Sequence, residues 1–134
     1  MDISFKKLKS GEEYERTFLA DLWGYQGYQA ISRGVVTPAG TDKIILFVTK
    51  EKDSSSTQYN DYIKADSLHW EGEVKHGSDN RIINSRKEKD EIHLFYRDIH
   101  HAPFIYYGEI FLKEYKLFSS QPSQFSFSLQ AVFN

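Results

Sequence analysis

The chain has 134 residues, 40% hydrophobic and 16% aromatic, so it can form one ordinary domain core and is not a disordered segment. It contains no cysteine, which excludes disulfides and thiolate metal sites and fits a cytoplasmic protein. The net charge of −2 argues against a coat protein held on nucleic acid by charge alone, but it allows one local basic face.

The first third of the chain is predicted to be helical. Ser10-Gly11-Glu12-Glu13 has the pattern of a capping box, in which Ser10 is the N-cap and Glu13 reaches back to it. Gly24 is a natural stop for this helix, whose apolar face would consist of Tyr14, Phe18, Leu19 and Leu22. No apolar segment suits a signal peptide or approaches the roughly 18 residues of a membrane span, so we expect no membrane association.

A second short helix is predicted at residues 28–32, ended by Gly34. The two helices resemble a helix-turn-helix, whose possible base readers would be Gln26, Gln29, Ser32 and Arg33. However, the pattern changes to strands after Gly34, so the three-helix core of such a motif is missing. We therefore favour a helical lid packed on a sheet, with its last residues near a phosphate backbone.

The remainder of the chain has the patterns of β-strands. Residues 44–48 form a continuous apolar run, which predicts a strand buried on both faces, and further strands are predicted at 92–97 and 104–112. Near the end, polar residues alternate with Phe125, Phe127, Leu129, Ala131 and Phe133, which should share one face. With weaker strands near 34–37 and 68–71, the sequence predicts an α+β fold: a β-rich curved sheet or partly open barrel with one or two short N-terminal helices.

Two stretches match neither a helix nor a strand. Residues 52–56 form a polar loop, and residues 72–90 are long and rich in charge. Structureless segments of the second length are uncommon in compact domains and are often functional. No repeat or linker divides the chain, so we expect residues 1–134 to form a single domain.

The densest cluster of polar and aromatic residues spans 57–62 and continues at 68–73. Flat side chains can stack on a base, and a carboxylate can accept a hydrogen bond from a cytosine amino group. A base flipped out of a duplex needs both contacts in one pocket. The predicted pocket consists of Tyr59, Asn60, Asp61, Tyr62, Trp70 and Glu71. The alternative is an aromatic core, with the neighbouring Asn and Asp capping a short helix.

A local basic excess follows at residues 75–89, where five Lys or Arg residues outnumber two acidic ones. Such cations, together with Ser and Asn donors, suit phosphate contacts. The predicted DNA-backbone contacts are Ser32, Arg33, Lys75, His76, Asn80, Arg81, Arg86 and Lys87. The alternative is a solvated loop, because runs of charge are often only that.

No catalytic apparatus can be placed on the sequence. Glu73, His76 and Asp79 have a metal-ligand spacing for a helix, but Gly72 and Gly77 make a regular helix unfavourable there. Hydrogen-bonded loop residues are therefore favoured over a metal site. No Ser/His/Asp or Cys/His arrangement and no glycine-rich phosphate loop is found. We expect a binding domain without catalytic residues, metal or cofactor.

Six segments together resemble a known family: residues 30–38 (AISRGVVTP), 45–50 (ILFVTK), 57–61 (TQYND), 69–73 (HWEGE), 93–97 (HLFYR) and 103–108 (PFIYYG). They are similar to the formerly uncharacterised domain attached to restriction enzymes of the PLD/helicase type and also found fused to HNH nucleases. The likeness spans roughly residues 24–112.

The resemblance implies a target-recognition domain of a modification-dependent (type IV) restriction system, a form of bacterial or archaeal defence. Such readers resemble PUA or SRA domains, curved barrels that flip a modified cytosine, commonly of the 5-methylcytosine type, into a pocket. The expected partner is double-stranded modified DNA. The chain has neither a helicase nor an HNH motif, so cleavage is expected from another domain or chain, and the sequence resembles a domain excised from a longer protein. The alternatives are a sequence-specific reader without base flipping and a protein-interaction module that uses the aromatic surface of the final strand.

Overall fold

The computed structural model describes residues 3–51 and 61–133, and all structural statements refer to these. The strands are β1 (Glu13–Tyr14), β2 (Val35–Val36), β3 (Lys43–Glu51), β4 (Tyr62–Lys64), β5 (Ser67–Glu71), β6 (Glu91–Ile99), β7 (Phe104–Lys116) and β8 (Gln124–Ser128). The helices are α1 (Arg16–Leu22), a 3-10 turn (Tyr28–Ile31), α2 (Asp79–Ile83) and α3 (Ser85–Glu88). The predicted α+β class is confirmed.

The strands form one sheet in the order β2-β3-β6-β7-β8-β5-β4, and β1 pairs with β7 beside this path. Only the β3–β6 pair is parallel among the described strands. The long strand β7 pairs with β6 through its first half and with β8 through its second half. Its Gly108 has a φ of +83°, and the pairing register shifts beside it. Such bulges bend a strand, so the two halves of β7 follow a curved, open sheet.

Strand β3 contributes side chains to two separate hydrophobic clusters. Ile44, Leu46 and Val48 pack in the cluster that contains Trp70 and Phe127. The intervening Ile45 and Phe47 pack in the second cluster, which α1 covers with Leu19 and Ala20. Because successive side chains of a strand point to opposite faces, a continuous apolar run results. The strand buried on both faces and the helical lid are thus confirmed.

A polar network lies within the second cluster. The buried His93 imidazole contacts the Glu91 carboxylate at 2.9 Å through Nε2 and the Tyr106 hydroxyl at 2.8 Å through Nδ1. The Phe5 ring is stacked on the imidazole with centroids 3.6 Å apart. A neutral imidazole satisfies both contacts when Nε2–H donates to Glu91 and Nδ1 accepts from Tyr106. Burial lowers the pKa of His93, while the hydrogen bond to Glu91 acts in the opposite direction.

The predicted capping box is wrong. Glu13 and Tyr14 form β1 and pair with Ile105 and Phe104 of β7, so helix α1 begins only at Arg16. No side chain caps its N-terminus. The predicted helix stop is correct, since Gly24 has a φ of +82° directly after the helix. No described helix has the length and apolar character needed to cross a membrane.

Two further predictions are corrected. Residues 72–90 were expected to lack regular structure, but they contain α2 and α3, anchored by buried Ile82 and Ser85. Phe125 and Phe127 of β8 do share a face as predicted, and this face lies in the first hydrophobic cluster. The aromatic surface of the final strand is therefore not available to bind a partner protein. The strand ends at Ser128, however, and Ala131 is exposed, so the predicted alternation does not continue to Phe133.

Candidate functional site

A pocket of about 610 Å³ opens between the segment around β2 and the segment that follows β5. Its first wall consists of Arg33, Gly34, Val35, Thr37 and Phe47. Its second wall consists of residues 70–75, 77 and 78, together with Asp61. The volume lies within the range of small-molecule binding sites, which is about 300–1,000 Å³.

Asp61 is the buried carboxylate of this pocket. Only 4% of the residue is exposed, and its Oδ1 accepts a hydrogen bond of 2.8 Å from the backbone N–H of Glu71. The position follows from the fold, because β4 begins one residue later and pairs Tyr62 with His69 of β5. A carboxylate oxygen accepts hydrogen bonds, so at the pocket wall this group suits a ligand that offers an N–H.

Two aromatic side chains form the apolar part of the walls. Trp70 is 5% exposed and packs against Phe125, with ring centroids 5.5 Å apart. Phe47 is stacked on Phe95 at 5.1 Å, and the Arg16 guanidinium lies 4.6 Å from the Phe47 ring centroid. These rings belong to the hydrophobic clusters and also line the pocket, which gives the site a rigid apolar wall.

Arg16 fixes the first wall from behind. Its Nε donates a hydrogen bond of 2.9 Å to the carbonyl oxygen of Ile31, and its ring contacts extend to Phe104 at 5.0 Å. Burial lowers the pKa of Arg16 to about 10, so the guanidinium remains charged at neutral pH. The cation thus joins the 3-10 turn to the Phe47 side of the pocket.

An ion pair lies at the pocket, between residues of its two walls. Arg33 Nη2 is 3.6 Å from Glu73 Oε2, and the two side chains are 70% and 28% exposed. Lys75 also lines the pocket and forms no ion pair within the described chain. Among the described residues, the rim therefore carries the paired Arg33 and the unpaired Lys75.

The second wall is held by a polar network at its base. Buried Asp79 accepts hydrogen bonds through Oδ2 from the Ser123 hydroxyl at 2.7 Å and from His76 Nδ1 at 2.9 Å. The backbone N–H of Gly72 donates to the Ser123 carbonyl at 2.8 Å. Residues 72–78 are thereby tied both to α2 and to the segment before β8.

The structure brings together three of the six predicted pocket residues: Asp61, Trp70 and Glu71 all line the pocket. Tyr62 does not line it; the ring stacks on His69 at 4.7 Å and lines a smaller pocket that Glu71 also reaches. Tyr59 and Asn60 lie outside the described residues. The contact of Asp61, Trp70 and Glu71 with a modified base stays a prediction.

The predicted DNA-backbone residues are spread more widely. Arg33 and Lys75 lie at the pocket, whereas Arg86 lines a separate cavity beside β7. The Arg81 guanidinium pairs with Asp90 at 3.0 Å and donates to the Thr41 carbonyl, which makes it a structural cation. Two of the remaining residues make local contacts: the exposed Ser32 donates to the Gln29 carbonyl, and His76 contacts Asp79. Asn80 on α2 and Lys87 on α3 are exposed.

Sequence reasoning missed Phe47, Thr37 and Glu73 as pocket residues. Phe47 lies inside an apolar run that looks like core, and no local pattern separates a core ring from a pocket wall. The metal alternative finds no support, because no group of three or more potential ligands occurs in the described residues. Glu73 instead pairs with Arg33.

The model of a family described as a domain of unknown function, DUF3427, matches residues 8–130. No curated protein shows a significant match. Among solved structures, the chain is similar to the SRA domain of SUVH5 in a complex with methylated CHH DNA, with 14% identity and a TM-score of 0.58 over 96% of this chain and 92% of that one. It is also similar to SUVH5 SRA with fully methylated CG DNA, with 13% identity and a TM-score of 0.59 over 96% and 93%. At such identity the likeness shows the fold, so the expected SRA-like fold is confirmed.

Proposed function

The chain belongs to the DUF3427 family, and we propose that it reads a modified cytosine in duplex DNA by receiving the flipped base in the pocket beside Asp61. The observation that carries the proposal is a buried carboxylate between two aromatic walls. Flipping a base costs a few kcal/mol because stacking and pairing are lost, and contacts between the pocket and the base must offset this cost.

The pocket offers both kinds of contact that a flipped cytosine requires. The exocyclic amino group of cytosine is a donor, and the Asp61 carboxylate is an acceptor in the interior of the pocket. Thymine carries a carbonyl at the same position, so this carboxylate would reject it. Trp70 and Phe47 line the pocket and would pack against the base through the parts of their side chains that reach it, as a rigid apolar wall.

The kind of modification is proposed from the fold neighbours. The SUVH5 SRA domains were crystallised with methylated DNA, which supports a cytosine modified at its ring as the ligand of this chain. Arg33 and Lys75 line the pocket, and in this proposal they contact the phosphates beside such a base. The neutralisation of these phosphates would contribute the salt-dependent part of the affinity.

We also propose a biological role for this binding. The six segments that resemble restriction-associated domains suggest a single specificity domain of a modification-dependent restriction system. The chain would then select modified DNA, while a nuclease or helicase in the same protein or in a partner would act on it. The chemistry of the described pocket, an acceptor beside an apolar wall, suits binding rather than cleavage.

Binding titrations test the proposed function. Duplexes that differ at one cytosine, plain, methylated or hydroxymethylated, are compared at fixed salt, with a phosphorothioated duplex as an additional probe. The Asp61→Asn variant presents an amide donor in place of one carboxylate oxygen, and we expect it to lose about 5- to 150-fold in affinity for the modified duplex, the equivalent of 1–3 kcal/mol. Asp66→Asn, an exposed position in the turn between β4 and β5, is the matched control and should bind like the wild type.

A fluorescent base analogue beside the target cytosine tests flipping itself. Emission should rise on binding, because the neighbouring base loses a stacking partner. Equal affinity of the wild-type protein for modified and plain duplexes would disprove the proposed function. Preference for the modified duplex without a rise in emission would instead support readout in the major groove without extrusion.

A further inference from the structure

The Arg33–Glu73 ion pair joins the two walls of the pocket. Arg33 follows the 3-10 turn on the first wall, whereas Glu73 follows β5 on the second. Their charged atoms are 3.6 Å apart. A nucleotide that enters between these walls must pass close to both side chains, so this pair is coupled geometrically to occupation of the pocket.

The two partners differ in how firmly they are held. The Arg33 side chain is 70% exposed and makes no other contact through its guanidinium in the described structure. The Glu73 side chain is 28% exposed, and its Oε1 lies so close to Gly77 that a Cβ placed there would be 3.2 Å away. The arginine is therefore the partner that can leave, and the glutamate is the one that stays.

We infer that Glu73 is a specificity-determining residue that withholds Arg33 from DNA phosphates until a base occupies the pocket; this rests on the proposed function. While the ion pair is intact, the charges of Arg33 and Glu73 largely cancel each other. A phosphate of a plain duplex at the rim is then attracted only weakly. When a flipped nucleotide enters the mouth, it separates the two side chains, and its phosphate replaces the Glu73 carboxylate as the partner of Arg33. The arginine contact thus forms with modified DNA and not with plain DNA.

This mechanism has a signature in the salt dependence of binding. Each phosphate neutralised by a cation adds about 0.9 to the slope of log K against log salt concentration. The wild-type slope should therefore be steeper by about 0.9 for modified than for plain duplex. An exposed ion pair is weak, so the associated change in affinity is limited to roughly fivefold.

The experiment compares four proteins on both duplexes over a series of salt concentrations. In Glu73→Gln the arginine is free, so we expect plain duplex to bind roughly three- to fivefold tighter at low salt, with a slope steeper by about 0.9. Glu114→Gln makes the same change of charge at an exposed position of β7 outside the pocket, and its slope should equal that of the wild type. In the double variant Arg33→Gln/Glu73→Gln, the slope for plain duplex should return to the wild-type value.

The outcomes separate this inference from the proposed function. An unchanged slope for plain duplex in Glu73→Gln would overturn the inference, as would a steeper slope that persists in the double variant. An equal change in Glu114→Gln would show a general effect of net charge and would overturn it too. The same titrations also measure the preference of the wild type for modified over plain duplex. Absence of this preference would disprove the proposed function, whereas the slopes for plain duplex would still show whether Glu73 withholds Arg33.

Discussion

Replacement of Gly72 with alanine tests how closely the second wall of the pocket is packed. An alanine Cβ at this position would lie 2.9 Å from Asp79 Oδ1 and 3.1 Å from Phe125 Cε2. Neither neighbour can move freely, because Asp79 accepts a hydrogen bond from the Ser123 hydroxyl and the Phe125 ring is buried in the first hydrophobic cluster. We therefore expect the extra methyl group to strain the wall rather than fill a space.

The magnitude follows from two opposing effects. Overpacking a closely packed site costs about 1–3 kcal/mol. Replacement of a glycine by alanine in an ordinary backbone conformation returns about 0.4–1 kcal/mol, because the unfolded chain loses conformational freedom. Gly72 has no strained positive φ, so both effects apply. The net expectation is a loss of about 1–2 kcal/mol in the free energy of unfolding and a Tm lower by roughly 3–8 °C.

Urea unfolding with Gly34→Ala as the matched control measures this effect. Gly34 lines the first wall of the same pocket, but the nearest atom to its added Cβ is the Phe47 carbonyl oxygen at 3.8 Å, an ordinary contact. Gly34→Ala should be unchanged or more stable by up to about 1 kcal/mol. If Gly72→Ala were as stable as Gly34→Ala, with unchanged m values, the packing argument for the second wall would be refuted.

Two further predictions concern the second hydrophobic cluster. Burial lowers the pKa of His93 below its ordinary value of 6.5, so as the pH falls the unfolded chain takes up a proton before the folded chain does. The protein should therefore have its full stability above pH 6.5, and its free energy of unfolding should decline as the pH falls below that value. Urea unfolding between pH 7.5 and 5.5 checks this, and His93→Gln should show a shallower dependence; an equal dependence would argue against His93 as its source. Arg16→Lys should lower the free energy of unfolding by about 2–3 kcal/mol, because it removes the planar contact with Phe47 and the fixed hydrogen bond to Ile31. Unfolding at neutral pH measures the loss, and a lysine variant as stable as the wild type would contradict a bracing role.

The strands could be predicted because their side-chain periods are strong and local. The continuous apolar run at residues 44–48 indicated a strand with both faces buried, and β3 supplies both hydrophobic clusters. The alternation of Phe125 and Phe127 with polar residues correctly placed both rings on one face. What the pattern could not indicate is that this face belongs to the core, because exposure depends on which strand lies opposite.

The failures arise where distant residues compete with local preferences. The capping pattern at Ser10 is intact in the sequence, but Glu13 and Tyr14 pair with a strand some ninety residues later. A backbone pairing of this kind overrides a helix propensity worth only tenths of a kcal/mol per residue. Likewise, Arg81 looked like a phosphate contact because a sequence does not show that Asp90 is its partner.

One wall of the candidate site could be predicted from the sequence, and the other could not. Asp61 and Trp70 were identifiable because a carboxylate and an indole close together in sequence suit a base, and β4 pairs with β5 so that they meet. The opposite wall comes from residues that precede Asp61 by 14 to 28 positions. Phe47 and Arg33 therefore join the pocket through the fold alone, and only the register of β2 on β3 brings them there.

The parallel pairing of β3 with β6 separates the residues of the two pocket walls along the chain. Two parallel neighbours need a long crossover between them, and here it comprises the 39 residues from 52 to 90. That crossover carries Asp61, Trp70 and Glu73, whereas Phe47 belongs to β3 and Arg33 precedes β2. Within this crossover, β5 also pairs with β8 and buries Leu68 and Trp70 in the first hydrophobic cluster. A change in the crossover would therefore be felt both in the second wall of the pocket and in the stability of the sheet.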